Sequence, residues 1–329
     1  MAMPEKKVAT LNDLPAEKQL ELLKRQSISF LGDGQVFVKK TADGFVRAVK
    51  APVVLEESNS ELAVIQGKTM VTAKGFYHAN QIAGLSIITP EKLTLPDGQV
   101  VVNPYPIVDP DSGLLRKVWV KKMAIGNSPT GVLVVTSATL LYDINMYFIQ
   151  DLVKKVQYNA SAGRICMENT LTDDERKKGI FYKIDGAMGV WADMTNKDVL
   201  KAVDTFVNKK QFAERNAQTI AERVALQKHP AMAHIAYVEP VGSEKHHQAK
   251  VIIYGFVPDF SQKQLLDIAD QAERGEEIVI NGQKAEVIET VGTASDVDMT
   301  VDVDDEEKEA QAEPSHGPVK TDLFGGEKY

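Results

Sequence analysis

The segment Arg116-Lys117-Val118-Trp119-Val120-Lys121-Lys122 sets one tryptophan among four basic residues, in a run that alternates like a β-strand. Period two places Lys117, Trp119 and Lys121 on one face, and Arg116, Val118, Val120 and Lys122 on the other. The chemistry open to such a face is non-covalent. An indole stacks on any base of a single nucleic-acid strand, worth about 1–3 kcal/mol per base, and ammonium groups neutralise phosphates and make binding salt-dependent. The same pattern also describes a strand whose indole covers the core while the lysine stems run past it to water. Further basic residues stand at Lys154-Lys155 before Tyr158 and Arg164, at Arg176-Lys177-Lys178 near Phe181 and Tyr182, and at Lys209-Lys210, Arg215, Arg223 and Lys228. Each alone describes a solvated face; together they could form one stripe.

Covalent chemistry finds no comparable pattern. Gln66-Gly67-Lys68-Thr69 ends like a phosphate-binding loop, but Leu62 stands where the loop needs a glycine to wrap the phosphates. His229, His234, His246 and His247 lack the His-Glu-x-x-His spacing of a hydrolytic zinc site and read as surface histidines in and near a loop. Asp173-Asp174 falls in a polar turn, and no G-x-S-x-G elbow occurs. The chain is therefore expected not to be an enzyme and to carry no cofactor or metal.

Charge is distributed unevenly. Residues 296–329 hold 11 acidic and 3 basic residues, which accounts for the whole net charge of −8 and leaves 35 of each sign in the preceding body. Two readings of this end remain open: a solubilising segment, or one that competes with DNA for a basic groove. A hydrophobic fraction of 43% with 26% charged residues suits a water-soluble globular chain. The single cysteine, Cys166, excludes an intramolecular disulfide and a thiolate metal cage, and fits a reducing compartment. With no apolar run of about 18 residues and no apolar signal core, a cytoplasmic location is expected, with no membrane partner.

The elements that would position these residues are helices and antiparallel strands in separate runs, an α+β class. Helical spacing marks 10–26, 70–83, 139–157, 196–208, 211–228 and 261–274, the last capped by Ser261, with 170–178 a polar loop or short helix. Strand signals mark 35–40 and 45–50 around Asp43-Gly44, then 85–95, 99–108 and 114–125 as a meander. They continue at 235–239 with 249–257 as a hairpin, and at 277–280 with 285–290 around Asn281-Gly282. The implied organisation is an N-terminal helix and hairpin (1–50), a core (51–232), a small C-terminal α+β region (233–292) and a disordered acidic tail (293–329).

Two segments carry a family resemblance. Lys74-Gly75-Phe76-Tyr77-His78-Ala79-Asn80-Gln81-Ile82-Ala83-Gly84 has a basic residue and a glycine opening a helix that ends in a glycine nine residues on, followed by the meander. Ala217, Ala221, Arg223 and Pro230 have the spacing of a second helix after it. Over residues 60–232 the chain resembles the phage single-strand annealing proteins of the RecT and Red-beta kind. The resemblance implies an antiparallel β-meander packed on helices. It implies ATP-independent binding of single-stranded DNA and annealing of complementary strands in recombination, in the cytoplasm of a bacterial host. A homo-oligomeric ring or helical filament is implied too, and a partner exonuclease or host single-strand binding protein is allowed. It makes Lys74, Arg116, Lys117, Trp119, Lys121, Lys122, Arg215 and Arg223 the expected DNA contacts. An ion pair with a carboxylate such as Asp204 is the alternative for Arg223. A passive single-strand binder and a phage structural or assembly protein are the competing functions.

Overall fold

The computed structural model describes residues 36–41, 44–65, 68–239, 241, 247–257, 260–280 and 283–294. The expected helix at 10–26 and the acidic tail lie outside them. The fold is α+β, with sheets that are mostly antiparallel.

The central sheet is built on two long strands, β9 (Leu115–Asn127) and β10 (Leu133–Asp143), which pair antiparallel over eleven residues. The free edge of β9 is shared. Strand β5 (Ser86–Ile88) takes its second half and β8 (Tyr105–Val108) its first. On the far side of β10 lies β18 (Glu286–Thr293), in parallel. A second sheet joins β1 (Val36–Thr41), β2 (Gly44–Glu56) and β15 (Gln248–Val257).

Two helices fill the space between these sheets. Helix α1 (Ala73–Ala83) begins at Thr72, whose side chain accepts from the Gly75 amide, and ends at Gly84 in the left-handed region with φ 70°. Both glycines of the first motif thus have a packing reason. A Cβ on Gly75 would lie 2.4 Å from the Glu61 carbonyl oxygen, and one on Gly84 would lie 2.8 Å from that of Phe256. Helix α5 (Ala213–Lys228) lies on the central sheet, where Ala217 and Ala221 are buried and the Ala225 carbonyl accepts from Thr136 Oγ1 at 2.8 Å. Small side chains on α5 permit this approach. The main core joins Val118, Val120, Ala138 and Leu140 of the sheet to Phe76, Ile220 and Val224 of the helices and to Val53, Leu55, Val251 and Ile253 of the second sheet.

The opposite face of the central sheet is only partly covered. Helix α6 (Gln262–Glu273), opened by a capping box at Ser261, lays Ile268, Ala269 and Ala272 on Met123, Ile125, Leu133 and Val135. A third core packs α2 (Ile144–Tyr158) and α4 (Lys197–Gln211) against a small sheet of β11 (Gly163–Met167), β13 (Met188–Asp193) and β12 (Gly179–Asp185), in that order. Short α3 (Asp173–Lys178) precedes β12. The remaining strands are β3 (Leu62–Ile65), β4 (Lys68–Val71), β6 (Lys92–Thr94), β7 (Val100–Val102), β14 (Tyr237–Val238), β16 (Val279–Ile280) and β17 (Gln283–Lys284).

Several sequence expectations need correction. Residues 139–143 are strand, not helix, because β10 is buried on both faces and shows no alternation; the helix starts after Asp143, which caps it through the Asn145 amide. Residues 235–239 and 249–257 do not form a hairpin: β14 pairs with β4 and β15 with β2. Residues 233–292 are not a separate region either, since β15 and β18 each complete a sheet begun far earlier in the chain. The short strands β11, β12 and β13 are additions. Among the described residues no helix is long and apolar enough to cross a membrane.

Candidate nucleic-acid interface

On β9 the side chains divide by what packs on them. Lys122 projects to the α5 side. It is 4% exposed and bonds Glu222 Oε1 at 2.8 Å and Thr89 Oγ1 at 2.8 Å. Glu222 also accepts from the Tyr77 hydroxyl at 2.7 Å, so one carboxylate ties β9, α1 and α5 together. Lys121 projects to the α6 side, is 7% exposed, and pairs with Glu273 in the last turn of α6. These two expected DNA contacts are interior ion pairs. Beyond Glu273 the sheet face is no longer covered by α6. There Trp119 stands directly opposite Tyr105 on β8 and Leu141 on β10, all three partly exposed. One step along, Lys117 pairs with Asp143 at 2.7 Å.

Arg116 departs from the expected alternation. The register between β8 and β9 shifts between Ile107 and Val108, so Arg116 and Lys117 together oppose Ile107. Leu115 packs with the core on the Val118 side, which strict alternation would forbid. Arg116 is therefore a bulge residue, exposed at the rim of the sheet rather than in line with Val118 and Lys122.

The two arginines of α5 separate. Arg215 is exposed and its guanidinium lies 4.4 Å from the centroid of the Phe212 ring. Arg223 is 1% exposed, among the largest buried side chains in the protein. Eight residues turn a helix by about 80° beyond two full turns, enough to move a side chain from the solvent side to the core side. The end of α5 is also buried all round, with Arg223, Val224, Ala225 and Leu226 all inside. Arg223 therefore serves the interior and offers no contact to DNA. Lys74 is exposed at the start of α1, away from the Trp119 face of the sheet.

The junction of α4 and α5 gathers cations that the sequence left scattered. Lys209 Nζ lies 4.8 Å from the Tyr147 ring centroid, Lys210 Nζ lies 4.9 Å from that of Phe206, and Arg215 caps Phe212. Lys210 also reaches the turn before β9. The Asp109 carboxyl there is held below its usual range, chiefly by the Ser112 amide, with a smaller contribution from Lys210. Among the described residues none of Arg116, Lys209, Lys210 and Arg215 is within ion-pair distance of a carboxylate. An open groove of about 510 Å³ runs along α5 from Gln211 to Glu222, lined by Arg215 together with Glu214 and Glu222.

Protein-family models, curated protein sequences and solved structures were compared with this chain, and none matches. The site is therefore read from its own chemistry.

The histidines are placed differently from expectation. His229 is not a surface residue but fully buried. Its Nδ1 accepts from the Ala231 amide at 3.2 Å, which leaves the proton on Nε2, 3.3 Å from the Val134 carbonyl. Burial lowers its pKa to about 4, so the ring is neutral near pH 7. His247 pairs with Glu57 at 2.6 Å, and the exposed His234 bonds the Ile252 carbonyl at 2.7 Å. His246 lies outside the described residues. Among the described residues no group of three or more His, Cys, Asp or Glu side chains could hold a metal ion.

Tyr105, Phe206, Phe212 and Tyr147 were not singled out in the sequence. The pairing of Tyr105 with Trp119 had a signal: a strand at 99–108 followed by a turn at 109–113 sets residues near 105 opposite residues near 119. Phe206 stands four residues before Lys210 on the same helix, a neighbour that helical spacing gives, whereas Tyr147 as the partner of Lys209 had no signal because it depends on how α2 meets α4.

Proposed function

We propose that this protein binds single-stranded nucleic acid without ATP and promotes pairing of complementary strands. The observation that carries this reading is the Tyr105–Trp119 row, both partly exposed, on the half of the central sheet that α6 does not reach. Two aromatic rings side by side on a sheet form the kind of platform on which successive bases stack. Around the rim of the same strand, the bulged Arg116 leads toward Lys209, Lys210 and Arg215, none of which is within ion-pair distance of a carboxylate among the described residues, although Asp109 and Glu214 lie nearby. Rings would hold bases, cations would hold phosphates, and neither contact reads sequence. Annealing asks little more: it is downhill, so the protein needs only to display bases, screen phosphates and release the duplex. The contacts proposed are Arg116, Lys117, Trp119 and Arg215 from the sequence reading, with Tyr105, Lys209 and Lys210 added; Lys121, Lys122 and Arg223 are withdrawn as interior, and Lys74 because it stands away from the Trp119 face.

The test is anisotropy of a labelled single-stranded oligonucleotide across a salt series, followed by addition of the complementary strand. Binding that weakens with salt, and pairing that accelerates without ATP, is the expected result. Trp119→Ala is expected to weaken binding roughly 5- to 150-fold, the equivalent of about 1–3 kcal/mol for one stacked base. Binding without faster pairing would reduce the function to passive coating. No binding at low salt would sink the nucleic-acid reading and favour an assembly protein.

A further inference from the structure

We infer that the acidic segment 296–329 docks on the basic α4–α5 junction of its own chain and competes there with nucleic acid. The competition rests on the proposed function; the docking does not. Three observations converge on it.

The first is where the chain departs. The last ladder residue of β18, Thr293, pairs with Leu141, so Ala294 comes next to Tyr142 along the sheet. Ala294 is buried in the same core cluster as Tyr142 and Tyr147. The Tyr142 and Tyr147 rings lie tilted against each other with centroids 4.9 Å apart, and Lys209 Nζ lies 4.8 Å from the Tyr147 centroid. Ala294, the last described residue before the acidic segment, thus lies within a few side chains of Lys209.

The second is reach. The densest acids are Asp302, Asp304, Asp305, Glu306, Glu307 and Glu309. Eight residues separate Ala294 from Asp302, and an extended chain of that length spans up to about 27 Å. That is ample for the junction, so the arrangement needs no second molecule.

The third is complementarity. Arg116, Lys209, Lys210 and Arg215 have no carboxylate partner among the described residues, whereas Lys117, Lys121, Lys122 and Arg164 are each ion-paired. Glu214 and Asp109 are the acidic neighbours of the junction, and Asp109 is already bonded to the Ser112 amide and hydroxyl. A segment with a net charge of −8 fits this corner, and it presents carboxylates where a nucleic acid would present phosphates.

The experiment uses the full chain. Dilute protein is treated with a carbodiimide, which joins carboxylates to amines in contact, and the products are mapped by mass spectrometry. Mixed ¹⁴N and ¹⁵N protein separates links within a chain from links between chains. The expected products join residues 302–309 to Lys209 or Lys210 of the same chain. Links only to other lysines, or only between chains, overturn the docking. In parallel, a full-length variant with those six acids changed to Asn or Gln is compared with the parent for oligonucleotide binding at low salt. At least tenfold tighter binding, with the difference closing as salt rises, supports competition. The expected links with unchanged affinity overturn competition and leave the segment merely docked. If neither chain binds the oligonucleotide, the proposed function fails and competition fails with it, while the link map still decides the docking.

Discussion

Lys122 and Lys209 are both basic residues near an aromatic, yet they belong to different kinds of place. Lys122 is buried under α5, holds Glu222 and Thr89, and through Glu222 reaches Tyr77. Lys209 sits at a helix junction, leaning on the face of Tyr147 with no carboxylate beside it among the described residues. One charge is an internal fastening; the other is available to an outside anion. A buried pair is costly to break because the surviving partner is left desolvated and alone. A partly exposed cation over a ring contributes modestly to the fold and keeps part of its field in the solvent.

Breaking this contrast starts with stability. Lys122→Ala should destabilise the protein by about 3 kcal/mol, read from denaturant midpoints, because Glu222 loses its buried countercharge. The sheltered side of the sheet should also respond to acid through His229. Its folded pKa of about 4 lies below the unfolded value of 6.5, so the unfolded chain takes up a proton first as pH falls. The stabilisation is fully present above about pH 6.5. It should decline by about 1.4 kcal/mol per unit between there and pH 4, reaching roughly 3 kcal/mol in all. His229→Gln should flatten that part of the pH–stability curve; an unchanged slope would assign it to other groups.

The exposed side should show the reverse signature. Trp119→Ala is expected to cost only about 1 kcal/mol of stability while reducing oligonucleotide affinity as given above. The smallest change is Lys209→Ala. Its stability should stay within about 1 kcal/mol of the parent, and the slope of log affinity against log salt should fall by about 0.7, one phosphate contact on a single strand. If Lys209→Ala and Lys122→Ala proved equally destabilising, the division between fastening and free charge would be wrong.

The legibility of the sequence tracks how local each determinant is. The helix from Thr72 to Gly84, the capping box at Ser261 and the turn at 109–113 were readable because each is decided by residues within a few positions. The α+β class followed from those. The partners of β15 and β18 were not readable, since burial with residues over a hundred positions away chose them. Asp185-Gly186 was a signal passed over: it turns β12 into β13, and Gly186 takes φ 54°. At the site, alternation identified the face of Trp119 but not its cover. Trp191 shows how the same residue type can be closed in place. Its indole donates to the Glu175 carbonyl at 2.9 Å and lies against Gly179, beside an Arg164–Glu175 pair that holds the Glu175 carboxyl at about 2. Among the described residues nothing accepts from the Trp119 indole. No pattern of one strand separates these two tryptophans, both partly exposed; the hydrogen bond that only the Trp191 indole makes does.

The parallel seat of β18 against β10 bears on the order of events in folding. The two strands pair residues such as Val134 and Glu286, and β2 pairs with β15 across a still longer separation, Arg47 with Val257. Both sheets therefore wait for chain made late in synthesis, and closing such long loops is slow. Until residues near 294 are available, β10 keeps an open edge and the core cluster lacks Ala294. A nascent or truncated chain ending near residue 232 would lack α6, β15 and β18 and expose two unfinished sheet edges, the geometry that invites strand exchange and aggregation.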